Sequence, residues 1–151
     1  MTKITHLSLQ NFTAFKSFDI AFDNGINVII GSNGTGKTHL LKLLYAACSI
    51  TDGEDKEKTF PQKILNVFHP FEGRIGRLAH RGAGSVTSHI SVKRGRRSEI
   101  SASFSNHTKE PSGVKVDNQE AWKRTNTISA YIPVKEMLSH APGFLATAAK
   151  R

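Results

Sequence analysis

The sequence predicts an α/β lobe: a core strand of the parallel-sheet type, a glycine-rich loop leading into a helix, and an antiparallel β layer. Three observations carry this. Residues 26–30 (INVII) form a nearly continuous β-branched run of strand length, the texture of a strand covered on both faces. The glycine-rich residues 31–36 follow directly, and residues 37–50 then place Leu40, Leu41, Leu44 and Ala47 at helical spacing. Beyond Gly82 the texture changes. Val86, Ile90 and Val92, then Ile100, Ala102 and Phe104, alternate with polar residues, as in an antiparallel hairpin with one wet face.

In chain order, residues 4–12 read as a first strand, residues 18–22 as a second short apolar stretch, and Asn24-Gly25 as a turn. Residues 51–59 (TDGEDKEKT) are a polar surface loop. Pro61 suits the first turn of a second helix with Ile64, Leu65, Val67 and Phe68 as its apolar face, ended by Pro70. A turn over residues 93–97 joins the hairpin strands. Residues 106–117 read as loop with a short strand at 114–116. Residues 128–132 form a last strand before Pro133, and Pro142-Gly143 introduces a short C-terminal helix. No internal repeat or low-complexity tract interrupts this order.

A chain of 151 residues is one domain's worth. Its 21 basic against 12 acidic side chains leave a net +9, a charge that favours anionic partners such as nucleotides, nucleic acid or a membrane surface. A single cysteine excludes an internal disulfide framework and fits a reducing, cytoplasmic compartment. The N-terminus offers only Lys3 before a mixed stretch, unlike a signal peptide. No apolar run approaches the ~18 residues of a membrane span, and even residues 40–48 are broken by Lys42. The expectation is a cytoplasmic protein without a membrane partner. Seven histidines without paired spacing, beside one cysteine, argue against a zinc site. Cys48 reads as core, His39 as helix surface, and Trp122 as packed under a loop rather than stacked on a base.

The chemistry sits in Gly31-Ser32-Asn33-Gly34-Thr35-Gly36-Lys37-Thr38, which matches G-x-x-x-x-G-K-[ST] in full. Glycines permit positive φ and close approach, so successive N–H groups can turn toward a β-phosphate. The helix that starts here adds unpaired N–H groups and a positive dipole end. In such a loop Lys37 reaches the β- and γ-phosphates and the Thr38 hydroxyl coordinates Mg²⁺, which makes ATP and Mg²⁺ the expected ligands. The motif stands where it must, between a strand and an amphipathic helix.

Residues 9–42 also carry an N-F-x-x-F-x-x-F spacing at Asn11, Phe12, Phe15 and Phe18, an Asn-Gly-Ile-Asn turn, and G-x-N-G-x-G-K-T. In these features the chain resembles the N-terminal lobe of ABC-type ATPases related to SMC and RecF proteins. More loosely, residues 64–81 and the Tyr131-Ile132-Pro133 strand end resemble bacterial AAA-family ATPases. The resemblance implies a P-loop NTPase lobe, partial over residues 1–151, and places the Phe12–Phe18 region near adenine or ribose. Core packing of two strands is the simpler reading of most of these phenylalanines. Lys16 is a candidate phosphate or ribose contact, with a solvated lysine the simpler reading. The family sandwiches ATP between two heads, which implies nucleotide-dependent homodimerisation.

Hydrolysis in that family needs a Walker B strand ending in Asp-Glu, an LSGGQ-like signature and a glutamine after the strand equivalent to residues 128–132. None is found: Asp19 and Glu136 follow no apolar run, and Pro133-Val134-Lys135-Glu136 stands where the glutamine is expected. The resemblance therefore implies ATP·Mg²⁺ binding, with turnover requiring elements absent from this chain, supplied for example by a partner chain. The alternatives are a nucleotide-switched DNA-binding module and a non-catalytic regulator of a full-length ATPase. Lys93, Arg94, Arg96 and Arg97 form a basic hairpin tip, with Arg74, Arg77 and Arg81 upstream. Two readings of the tip stand side by side: phosphate-backbone contact with DNA, as SMC and RecF relatives would imply, and a solvated turn that discourages edge pairing.

Overall fold

β1 (Ile4–Phe12) and β2 (Phe15–Ala21) form a hairpin across the Thr13-Ala14 turn; the computed structural model describes residues 3–132. β1 pairs on its other side with β3 (Thr87–Arg94), which pairs with β4 (Ser98–Ser105), and β5 (Lys115–Asp117) closes the far edge. The result is one antiparallel sheet in the order β2-β1-β3-β4-β5. Its register aligns apolar rows across strands: Leu7 faces Val92, which faces Ile100, and Leu9 faces Ile90, which faces Ala102. All six are buried, whereas the polar residues between them, such as Gln10 and His89, line the opposite, wetter face. The antiparallel layer is the one the alternation predicts.

Two helices cover the apolar face. α1 (Lys37–Ser49) contributes Leu40, Leu43, Ala46 and Ala47, and α2 (Phe60–Phe68) contributes Phe60 and Ile64. The buried stripe of α1 is therefore rotated from the predicted one, and Leu41 is largely exposed. α2 begins in a capping box: the Thr59 hydroxyl accepts from the Gln62 amide while the Gln62 side chain accepts from the Thr59 amide. It stops at His69, in the left-handed conformation, just before Pro70. Phe12 meets Phe68 and Phe104 edge to face, with centroids 5.5 and 6.5 Å apart, and so joins helix to sheet.

A short helix, α3 (Gln119–Lys123), escapes sequence periodicity because five residues show no period. It delivers Trp122 into the core, where the indole Nε1 donates to the Ala47 carbonyl at 2.7 Å. Trp122 is thus core, as its sequence context suggests, and so is Cys48, whose thiol burial pushes up to about 11.

Two predicted strands are not strands here. Residues 26–30 and 128–132 carry no ladder hydrogen bonds. Their large side chains face outward: Ile26 is 94% exposed, Val28 74% and Ile30 90%, with Ile128 and Ile132 at 71% and 88%. Only Ile29 of the first run packs toward the core. A β-branched run becomes a strand only when neighbours accept its N–H and C=O groups, and none of the described residues does. The parallel core strand of the sequence reading is therefore unpaired among the described residues, whereas the helix after it and the antiparallel layer form as expected. The predicted C-terminal helix lies outside the described residues.

Trp122→Ala should lower the unfolding free energy by ~3–5 kcal/mol and Trp122→Phe by roughly 1–3 kcal/mol, read from urea titrations. A loss under ~1 kcal/mol for the alanine variant would show that α3 is not part of the core.

Candidate functional site

The glycine-rich loop is shaped from both ends. Before it, Asn27 closes the preceding turn: its Oδ1 accepts from the Asp23 amide at 2.9 Å and its Nδ2 donates to the Asp23 and Gly25 carbonyls. Within it, Gly34 and Gly36 adopt φ of 80° and 93°, in the region that favours glycine. Gly36 is required twice over. A Cβ there would lie 2.7 Å from the Phe15 ring and 3.2 Å from the Ala14 Cβ. The β1–β2 turn thus presses against the loop where α1 begins, and Phe15 is backed by Phe18 at 4.9 Å between centroids.

The electrostatics follow from the helix start. The first N–H groups of any α-helix lack intrahelical acceptors. Gly36, as cap, offers no side chain to take one up, and the first turn of α1 carries no acidic residue. Lys37 folds back over the loop, its Nζ donating to the carbonyls of Gly31 and Ser32 at 2.6 Å each. Thr35 Oγ1 donates to the same Ser32 carbonyl at 2.9 Å. The Thr38 side chain stands exposed on the first turn. Ser32, Asn33 and Gly34 are exposed as well, so the loop lies open. Free helix-end donors, an ammonium group and a hydroxyl are gathered here, with no ion-paired carboxylate on Lys37 among the described residues. That donor set fits a phosphate-sized anion and, through Thr38, its counter-cation.

His39 is less superficial than the sequence suggests. It is half-buried against Phe68, 5.6 Å between ring centroids, and its Nδ1 is buried without a partner. Burial holds its pKa below the usual 6.5, with Lys42 adding to the effect. Lys42, set over the Phe68 ring at 5.7 Å, is lowered by burial too. Lys16 is solvated.

The hairpin tip keeps only part of its predicted cluster. Lys93, Arg96 and Arg97 are exposed, but Arg94 is 1% exposed and points inward. Period-two alternation puts Arg94 on the same face as Ile90 and Val92. Its guanidinium lies 4.1 Å over the Trp122 ring, donates to Thr127 Oγ1 at 2.7 Å, and bonds the Trp122 carbonyl. It cannot contact nucleic acid from there. The tip is also remote from the glycine-rich loop. β3 runs from the β1–β2 turn end at Thr87 to the tip at Arg94, about 23 Å at strand rise.

A family model described as an AAA domain matches residues 6–139. The chain belongs to this AAA domain family. Among curated proteins it is similar to the DNA replication and repair protein RecF. The Streptococcus suis protein is 34% identical over 83 residues, 55% of this chain and 22% of that protein. The Clostridium kluyveri protein is 38% identical over 63 residues, covering 42% and 16%. The Lactobacillus acidophilus protein is 45% identical over 42 residues, covering 28% and 11%. The match thus spans about a fifth or less of each of these relatives. A solved structure described as "Structural biochemistry of ATP-driven dimerization and DNA stimulated activation of SMC ATPases" aligns over 97% of both chains, at 14% identity and a TM-score of 0.45. The family match and the RecF relatives bear out the RecF-like P-loop ATPase resemblance read from the motifs. Among the described residues of this AAA domain no His, Cys, Asp or Glu cluster could hold a metal, and no helix is long and apolar enough to cross a membrane.

The depressed His39 pKa gives a signed prediction. The unfolded chain takes up that proton first, so stability falls as pH drops through 6.5 toward the lower folded value. The thermal midpoint should decline over that window, and His39→Gln should flatten the decline. An unchanged pH slope in the variant would remove His39 as its source.

Proposed function

We propose that this chain binds ATP with Mg²⁺ as the N-terminal lobe of a RecF- and SMC-like ATPase. The observation that carries the reading is the capless start of α1 at Gly36, with Lys37 folded over the loop. The Gly34–Thr38 amides and Lys37 would hold the β- and γ-phosphates, and the Thr38 hydroxyl would ligate Mg²⁺. Gly31, Ser32, Asn33 and Thr35 shape the loop around them. The bound nucleotide replaces the Gly31 and Ser32 carbonyls as the partner of Lys37.

Turnover needs carboxylates to hold the metal and position water, and no Asp or Glu in this sequence follows a run of four apolar residues. We assign them to strands that pair with residues 26–30 and 128–132, on another segment or a partner chain. The outward-facing, unladdered Ile26, Val28, Ile30, Ile128 and Ile132 support this. Nucleotide-dependent self-association fits the same reading. A single, buried cysteine suits a cytoplasmic setting. The reading as a DNA-binding module centred on the tip loses Arg94, its buried member.

Calorimetry should show Mg·ATP binding that Lys37→Ala weakens by about 1.5–3 kcal/mol, the scale of charge-assisted hydrogen bonds. Thr38→Ala should abolish the enhancement by Mg²⁺ while sparing affinity in EDTA. Equal affinity in the wild type and Lys37→Ala would sink the proposal.

A further inference from the structure

Two Asn-Gly dipeptides occur in this sequence, Asn24-Gly25 and Asn33-Gly34, and the second lies inside the glycine-rich loop. An asparagine followed by glycine can react within its own chain. The backbone nitrogen of the next residue attacks the side-chain amide carbon, and glycine, with no Cβ, leaves that approach unhindered. The attacking nitrogen must give up its proton. The rate therefore depends on how freely the two residues turn and on the charge around them, and the two dipeptides differ in both.

The first dipeptide is clamped. Asn27 ties its turn from within, bonding the Asp23 amide and the carbonyls of Asp23 and Gly25. The attack would have to swing the Gly25 nitrogen onto the Asn24 side chain against those three bonds. The charges there offset one another: the Lys3 ammonium group donates to the Asn24 carbonyl, and Asp23 sets a carboxylate directly before Asn24.

The second dipeptide is loose. Asn33 and Gly34 are exposed in a turn, and among the described residues no hydrogen bond holds the Asn33 side chain or the Gly34 N–H. A Cβ at Gly34 would meet nothing within 4 Å, so the backbone has room to rotate. Charge acts in the same direction. Lys37 sets its ammonium group on the Ser32 carbonyl, one residue before Asn33, at 2.6 Å. The positive end of α1 starts just beyond, with no acidic residue in its first turn, and residues 31–38 contain no carboxylate. A positive field stabilises the deprotonated Gly34 nitrogen and so favours its attack. The features that suit the loop to an anion also make its own asparagine labile.

We infer that Asn33-Gly34 is a site of spontaneous deamidation, and that conversion there closes the loop to phosphate. The Gly34 nitrogen bonds to Asn33 Cγ, and the side-chain nitrogen leaves as ammonia, carrying off the Gly34 proton. Water then opens the cyclic imide. Addition at one carbonyl gives aspartate and at the other isoaspartate, with no oxidant and no enzyme required. Both products place a carboxylate in a loop that has none, and isoaspartate also lengthens the main chain between residues 33 and 34 by one carbon. A negative charge among the N–H donors and Lys37 competes with phosphate for them. The deamidation stands apart from nucleotide binding; its consequence rests on the reading of Gly31–Thr38 as the nucleotide site.

The test incubates the full chain in mildly alkaline buffer and follows the tryptic peptide of residues 17–37 by fragment-ion mass spectrometry. That peptide carries both dipeptides, so each is the other's control. The mass gain of amide-to-acid conversion should appear at Asn33 several-fold faster than at Asn24. Asn33→Gln should abolish the gain at residue 33 and leave that at Asn24, because the longer side chain closes its ring far more slowly. Calorimetry should find Mg·ATP affinity falling in step with conversion at Asn33, and Asn33→Asp should weaken it roughly tenfold or more, the effect of one like charge beside the phosphates. The inference is overturned if neither dipeptide converts, if Asn24 converts as fast as Asn33 or faster, or if the converted chain keeps its full Mg·ATP affinity. A fresh chain that binds no Mg·ATP, with Asn33 still converting first, sinks the nucleotide reading instead and supports the site of deamidation.

Discussion

The contact between Gly36 and the β1–β2 turn is the constraint on which the rest of the architecture depends. With no Cβ at Gly36, the Phe15 ring closes against the backbone at the point where α1 starts. That contact sets the first turn of the helix, and with it the direction of the uncapped N–H groups. The same turn, through Thr13, is hydrogen-bonded to Leu78 and His80. One two-residue corner of the sheet therefore holds both the glycine-rich loop and the basic segment behind it.

A second node fixes the opposite end. Arg94 is buried with no ion-pair partner among the described residues, and burial depresses its pKa. Stacking on Trp122 and bonds to Thr127 and to the Trp122 carbonyl stabilise the charge, though Nε stays unpartnered. Trp122 in turn caps the Ala47 carbonyl of α1, and Thr51 bonds Thr127. These contacts place residues 128–132 beside the C-terminal end of α1, where Tyr131 meets Tyr45 at 5.8 Å. Neither residues 26–30 nor residues 128–132 is paired in the five-stranded sheet.

Much of this was legible in the sequence, and the failures have physical causes. The glycine-rich loop, α1, the β3–β4 hairpin and the stop at Pro70 followed from spacing and turn chemistry, which are local. Residues 26–30 misled because β-branched texture reports how a strand is covered, and covering is not local. Arg94 was readable: it sits two residues beyond Val92 in an alternating strand, but its charge suggested solvent. The capping box at Thr59 and Gln62 was also in plain view. The docking of residues 75–78 on residues 106–109 was not, since it depends on Gly76 and joins positions some thirty apart in sequence. A single glycine at such a separation carries no pattern.

The most direct measurement of the central claim is amide hydrogen exchange by mass spectrometry, with and without Mg·ATP. The account predicts slowed exchange concentrated in residues 33–40, with a smaller effect at residues 12–15 and 78–80 through the shared turn, and none at the hairpin tip. Unchanged exchange across residues 33–40 in saturating Mg·ATP, or protection centred on the tip, would contradict it.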